Sequence, residues 1–407
     1  MHILYIHQYF RTPEEGGAIR SYYLAKGLVD AGHTVTMLTA HSGPKYKKMF
    51  VDGIHVHYLP VPYRQSMGSI ARIKAFLQFV WLVCKKAPLF KSANVCYVTS
   101  TPLTAGLIGL YLRRQFKMPF YFEVRDLWPE APIQMRIVRG RLIKSLLYRL
   151  EKRIYQRANA LIALSPGIEQ YIRRVVPHQT VHLIPNMSDC RFFSKAERNA
   201  YHEKQFEVEG KFVVTYFGSA GRVNHLEYLV EAARACQQKQ LHDVQFLVVG
   251  EGSELTRIKS YAQQLNVGNM RFIPHQNKYG LLSVLNITDA AYVSFADYPI
   301  LQSNSPNKYF DALAAGKLCV VNTRGWIADM VEEHQCGFYA SPHHPENFVA
   351  QLAPFVNDRG LLNVYQSNAR TLGEQQFERE KQVEALLESL GVSRPAPQET
   401  TAYTLPV

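Results

Sequence analysis

The sequence predicts an α/β protein made of two Rossmann-like, doubly wound domains that face a cleft. Three observations carry that prediction. Short apolar runs alternate with amphipathic stretches through the first half of the chain, a polar segment interrupts them, and a second alternation of the same kind follows. The 407 residues leave room for two domains of roughly 150 to 200 residues each. A composition of 47% hydrophobic and 19% charged residues belongs to a folded globular chain.

In the first domain, residues 1–190, strands are expected at 2–7, 34–39, 55–59, 95–99, 120–123 and 160–163. A helix over 18–31 ends at Gly32, a residue suited to a left-handed cap. Strand–helix–strand order of this kind implies right-handed crossovers in a parallel sheet. Residues 191–209 lack strand character and are expected to link the domains. The second domain, 210–372, has expected strands at 212–216, 245–249, 270–273, 290–293 and 319–321. A helix within 373–392 is expected to pack back on the first domain, and the Pro- and Thr-rich residues 393–407 to be disordered. Ligands of such open sheets bind beyond the carboxyl ends of the strands.

The formal net charge of +13 calls for an acidic partner: anionic membrane, a phosphorylated substrate or nucleic acid. The six cysteines are scattered without a Cys-x-x-Cys pair, which suits a reducing cytosol and argues against a structural zinc site. The first residues run straight into a strand and show no signal-peptide pattern, so a cytoplasmic location is expected. The longest apolar run, 75–84, is too short to span a bilayer but is flanked by Arg72, Lys74, Lys85 and Lys86. Its Phe76, Phe79, Val80 and Val83 share one side at helical spacing. Residues 136–157 interleave Leu142, Leu146, Leu150 and Ile154 with Arg and Lys. Both stretches fit helices on an anionic membrane surface, or helices packed on the sheet.

Three loops in the second half have the chemistry of a phosphate site. Gly218 and Arg222 follow the first strand, where glycine lets the backbone approach a diphosphate and arginine neutralises it. Gly250 lies in the next strand-end turn, which is equally an ordinary tight turn. The third loop leads into a helix, with Ser305 as cap and Pro306 in the first helical position. Asn307, Lys308 and Tyr309 then stand at a helix N-terminus that attracts anions, and Asp311, one turn on, is placed to accept a ribose hydroxyl. In the first half, Gly16 and Gly17 form a loop toward the cleft with Arg20 on the following helix, suited to an acceptor or to donor phosphates. His7 ends the first strand and is either a cleft residue or a polar plug. Arg125 and Asp126 follow a strand and read as a catalytic pair or a buried ion pair.

The ordered series HQYF–Gly-Gly–Arg, GHTVTMLT, RDLWPE, ALIALSPGI, LIPN, VVGEG and SPNKYFDALAAGK resembles glycosyltransferase family 4 over nearly the whole chain. It is most similar to the bacterial branch that adds deoxy or N-acetylated amino sugars to surface polysaccharides. The resemblance implies a GT-B fold, a nucleotide-sugar donor held by the C-terminal domain, a lipid-linked saccharide acceptor and retention of anomeric configuration. It matches Asp311 to the second glutamate of the family's paired-glutamate motif and Asp126 to the catalytic position. The chain departs from that pattern at Ser303, where the first glutamate would stand, and at Ser219 and Asn224, where many members carry Arg and Lys. Arg222 and Lys308 are therefore expected to take over the phosphate charge.

No Asp-x-Asp occurs, so neither a metal nor another cofactor is expected. With Ser303 in place of a carboxylate, a front-face route is favoured over a covalent intermediate. A nucleotide-sugar epimerase or a phosphorylase would share such a cleft. Nucleic-acid binding is disfavoured because the basic stretches alternate with Leu and Val on helices. A nicotinamide dehydrogenase is disfavoured because His7-Gln8-Tyr9-Phe10 stands where Gly-x-Gly-x-x-Gly would be required.

Overall fold

The structure is a computed structural model that describes residues 1–16, 19–63, 67–194 and 196–392. Gly17 and the tail expected to be disordered lie outside the described residues. The first sheet contains β1 (His2–Ile6), β2 (Thr34–His41), β3 (Lys47–Val51), β4 (Ile54–Pro60), β5 (Val95–Thr99), β6 (Phe120–Val124), β7 (Ala160–Ala163) and β8 (Val181–Leu183). Their order is β3-β4-β2-β1-β5-β6-β7-β8, parallel throughout except for the β3–β4 pair. The second sheet contains β9 (Phe212–Phe217), β10 (Val244–Val249), β11 (Met270–Ile273), β12 (Ala290–Val293), β13 (Leu318–Val321) and β14 (Gly337–Tyr339). It is parallel, in the order β11-β10-β9-β12-β13-β14. In each sheet the strand order reverses beside the first strand, at β1 and at β9, and a crevice opens there at the strands' carboxyl ends.

Helices of the first domain are α1 (Arg20–Asp30), α2 (Ser69–Lys86), α3 (Gly106–Phe116), α4 (Glu130–Gln134), α5 (Arg141–Arg157) and α6 (Pro166–Val175). The chain continues through α7 (Ala200–Phe206) to α8 (Glu227–Gln238), α9 (Leu255–Gln264), α10 (Lys278–Ile287), α11 (Asn307–Ala314) and α12 (Trp326–Glu333). It ends with α13 (Pro345–Asn357), α14 (Arg359–Gln376) and α15 (Arg379–Ser389). The β7–α6 turn shows how sequence sets these boundaries. Ser165 accepts the Ile168 amide at 3.1 Å and Pro166 occupies the first turn.

Three strands escape the apolar-run criterion. β3 is mostly exposed, and pairs with β4 through a hairpin whose Asp52 and Gly53 both have positive φ, at 49° and 87°. β8 and β14 are three-residue edge strands, too short to show an apolar run. The segment 191–209 is also more structured than a free linker, since it carries α7 and buries Phe193 and Val208.

The chain crosses between domains twice, and the crossings touch where the Ser188 amide donates to Phe377 O at 2.7 Å. Beyond the second crossing α15 lies on α1. Its Val383, Leu386 and Leu387, with Leu390 just past its end, join the core cluster of Ile3, Tyr5, Leu24 and Leu28. A Cβ on Gly27 would collide with Val383, so this approach depends on glycine. Burying each of these side chains contributes about 1.5–3 kcal/mol, which holds the last helix to the first domain.

Helices α2 and α5 each have two apolar faces. In α2, Ala75, Phe79 and Val83 are buried, whereas Ile70, Ile73, Leu77 and Trp81 form an outward stripe, with Ile70 85% exposed. In α5, Ile154 and Tyr155 are buried, whereas Leu142 (88%), Ile143 and Leu146 (66%) face solvent. Among the described residues no helix is long and apolar enough to cross a membrane.

Candidate active site

The glycine turns after β9 and β10 lie against each other. Gly218 N donates to Val249 O at 2.9 Å, and Ala220 N donates to Glu251 O at 2.8 Å. Gly250 has φ of 145°, and a Cβ there would collide with the Gly218 carbonyl, so the two turns approach only through glycine. Across from them stands α11. Ser305 does not cap it. The carbonyl of Ser305 accepts the Asn186 side-chain amide of the first domain, Pro306 takes the cap position, and the Ser305 hydroxyl is left buried without a partner. The amides of Asn307 and Lys308 find no backbone acceptor among the described residues at the positive end of the helix.

Lys308 reaches from that helix to the glycine turns. Its Nζ donates to the Tyr216 hydroxyl at 3.2 Å and lies 4.5 Å from the centre of that ring. With the Asn224 amide turned to satisfy its neighbours, the Asn224 oxygen accepts from Nζ at 3.3 Å. Lys308 thus lies beside Asn224, the position at which the resemblance expects a lysine. A side chain on Gly218 would crowd the Lys308 Cε at 3.3 Å. No carboxylate among the described residues pairs with Lys308, and burial lowers its pKa to about 7. A desolvated ammonium bordered by free amides is built for an anionic ligand.

Asp311 lies one turn along the same helix face, half-buried, and its carboxylate accepts no hydrogen bond from the described residues. Burial raises its pKa to about 7, against the pull of Lys278 and helped by Asp189. Two expected members of this site are elsewhere. Arg222 is 91% exposed, with Nε 3.5 Å from Glu254, and no contact brings it to Lys308. Tyr309 is fully buried among Phe310 and Trp326, because adjacent helical positions point about 100° apart and Lys308 takes the open side. Asn307 remains half-buried at the helix start.

On the facing domain, His7 directly follows β1, with Nδ1 2.7 Å from Ser21 Oγ and Nε2 3.4 Å from Arg125 Nη1. Burial, reinforced by the Arg125 charge, holds its pKa well below the ordinary value, so the imidazole is neutral. Its Nε2 then accepts from Arg125 and Nδ1–H donates to Ser21, which fixes the guanidinium. The Arg125 amide donates to Ser100 Oγ at 3.0 Å. Asp126 is half-buried, and no ion pair joins it to Arg125. Burial raises its pKa while Arg125 opposes the rise.

The buried ion pair of this region involves other residues. Arg20 does not face the cleft: its Nε donates to Glu123 at 2.8 Å, Nη2 to Ile184 O at 2.9 Å and Nη1 to Pro185 O. Tyr97 adds a second donor to Glu123 at 2.9 Å. Arg20 therefore ties α1 to β6 and to the chain leaving β8. Gly16, with φ of 68°, faces the second domain, where a Cβ added to it would lie 3.4 Å from Asn277 Cα and 3.5 Å from His275 Nε2.

Residues outside the sequence expectation complete the junction. Lys278, at the start of α10, is buried against Asp189 and the Tyr23 hydroxyl, with the Phe192 ring 4.1 Å away. The Ser188 hydroxyl donates to Phe310 O at 2.9 Å, and Gln134 accepts the Ile300 amide at 3.2 Å. A lysine opening a helix is a common sequence event, and nothing in its neighbours advertises a partner 89 residues away.

Residues 15–187 match the model of the glycosyl transferase 4-like domain, and residues 197–372 match glycosyl transferases group 1. The chain is 22% identical to the probable glycosyltransferase WbjE of Pseudomonas aeruginosa over 292 residues, 69% of either chain. The sucrose-phosphate synthase of Thermosynechococcus elongatus superposes with a TM-score of 0.76 at 19% identity, over 96% of this chain and 98% of that one. HepE of Anabaena, in complex with UDP-glucose, superposes with a TM-score of 0.69 at 18% identity, over 96% and 99%.

Proposed function

Because the chain is a glycosyltransferase of the GT-B fold, we propose that it moves a sugar from a UDP-linked donor to a lipid-linked saccharide in cell-surface polysaccharide assembly, with retention of configuration. The observation that carries this reading is Lys308, a half-buried ammonium with no carboxylate partner among the described residues, beside the amides at the start of α11. The leaving diphosphate is the ligand such a site suits, and stabilising it as charge develops is the largest electrostatic contribution available. Asp311 takes the ribose hydroxyls. The UDP-glucose complex of HepE supports the choice of base, and the resemblance to the amino-sugar branch supports an N-acetylated amino sugar.

In the front-face route the anomeric bond to the diphosphate breaks and the acceptor oxygen bonds from the same face. The acceptor's proton passes to the departing phosphate oxygen. Asp126 borders the anomeric carbon and stabilises its positive charge, with Arg125 and neutral His7 setting its environment. No metal takes part in this reading, so transfer survives EDTA.

The exposed stripes of α2 and α5 support a membrane-bound acceptor. Ile73, Leu77 and Trp81 on one, and Leu142 and Leu146 on the other, sit among Lys85, Lys86, Arg141, Lys144 and Arg149, a pattern suited to anionic lipid. The reading puts the enzyme on the cytoplasmic face of the plasma membrane.

The test is a screen of UDP-, GDP-, ADP- and dTDP-sugars, reading nucleotide release with isolated membranes as the acceptor source. Release from a UDP-sugar that depends on membranes supports the proposal. An epimerised sugar formed without membranes, or no consumption of any donor, contradicts it.

A further inference from the structure

A cavity of about 660 Å³ opens between the domains at Leu127, the residue after Asp126. Its first-domain wall is Leu127, which directly follows Asp126, together with α4 and α6. Its second-domain wall is the 299–303 turn that leads into α11, together with Gly325 and Trp326. The two walls are held at a fixed spacing. Ser165 Oγ donates to Ser303 O at 2.5 Å, and the Ile300 amide donates to Gln134 at 3.2 Å.

The lining has a definite chemistry. Gln170, Gln302 and Arg174 reach it with side chains that make no hydrogen bond to the described residues. Trp326 contributes an aromatic surface, oriented by its Nε1 donation to Asn304 O at 2.8 Å. The one acid in the lining, Glu130, is already engaged by the Tyr148 hydroxyl and by Gln134 Nε2 at 2.8 Å. The acid nearest in sequence, Glu169, is bonded to Arg173. Arg174 therefore faces the cavity without a carboxylate partner among the described residues.

Uncommitted amides satisfy sugar hydroxyls, an indole accepts the C–H face of a pyranose, and a free guanidinium selects a carboxylate or phosphate. We propose that this cavity is the acceptor subsite and that it holds a saccharide carrying an anionic group, carboxylate or phosphate, against Arg174. The inference rests on the transferase reading above and adds to it the acceptor's chemical class. A sugar seated here lies against Leu127, the residue that follows Asp126 in the chain.

The experiment uses the full chain with Trp81→Phe and Trp128→Phe, which leaves Trp326 as the single tryptophan. Its emission is followed, with UDP present and absent, while cellobiose, the same disaccharide bearing a uronic acid and the same disaccharide bearing a phosphate are titrated in separately. The expected result is binding of one or both acidic forms about tenfold tighter than cellobiose, with Arg174→Gln abolishing the difference. Whichever acidic form binds identifies the group. Equal binding of all three, or no response to any, overturns the proposal. UDP affinity, measured by calorimetry on the same samples, separates the two claims. Loss of UDP binding in the parent chain sinks the donor reading, whereas intact UDP binding with a silent Trp326 sinks only the acceptor subsite.

Discussion

The Lys308 ammonium donates to the Tyr216 hydroxyl across 3.2 Å, joining the start of α11 to the strand that precedes the Gly218 turn. Burial brings Lys308 and Asp311 to pKa values of about 7 from opposite directions, and this fixes a pH dependence. Lys308 is charged below about 7 and loses its proton above it, so its contribution to anion binding falls as pH rises. Asp311 gains charge over the same range, and its acceptance of a ribose hydroxyl improves. Beside Asp311, Lys278 and Asp189 form a buried ion pair: burial lowers the Lys278 pKa against the pull of Asp189, and Lys278 holds the Asp189 carboxyl below its usual range. Wild-type affinity for a UDP-sugar is therefore nearly flat through neutral pH. In Asp311→Asn it falls above pH about 7, by at most about tenfold per unit, and calorimetry between pH 6 and 9 reads the slope.

Asp126→Asn keeps the size of the side chain and removes its charge. Transfer is expected to fall by at least about a hundredfold while UDP affinity stays within about twofold, because Asp126 stands on the domain opposite Lys308. Equal loss of both would make Asp126 structural.

Arg222→Ala is expected to leave kcat/KM within about twofold of wild type. Its guanidinium is solvated and its Glu254 contact is of the exposed kind that contributes about 0–1 kcal/mol. A loss of a hundredfold in steady-state assays would mean that the β9 turn closes over the donor and carries Arg222 with it.

Arg20→Ala acts on stability. It leaves Glu123 buried without its cation and strips two carbonyls of their donor, at a cost of about 3–5 kcal/mol. Chemical denaturation should show that loss, and the folded fraction should bind UDP normally.

Most strands were legible because buried parallel strands are continuous apolar runs, as in Phe212–Phe217 and Val244–Val249. The exposed β3 lacked that signal, although Asp52-Gly53 marked its hairpin. Within α11, the spacing of Asn307, Lys308 and Asp311 put all three on one face, and the same arithmetic turns Tyr309 inward. Arg20 was misplaced because a first-turn arginine reads identically whether it faces a cleft or a buried glutamate 103 residues away. In α2 the sequence run singled out Phe79 and Val83, which the sheet buries, while the outward stripe of Ile70, Ile73, Leu77 and Trp81 spans a longer, less dense stretch.

The role of Lys308 is tested most directly by the affinity of Lys308→Met for a UDP-sugar beside that of wild type, at pH 6.5 where the lysine is mostly charged. Removing a half-buried cation from a diphosphate contact should weaken binding about ten- to hundredfold, with the fold intact by circular dichroism. Unchanged affinity would show that the leaving diphosphate does not rest on Lys308.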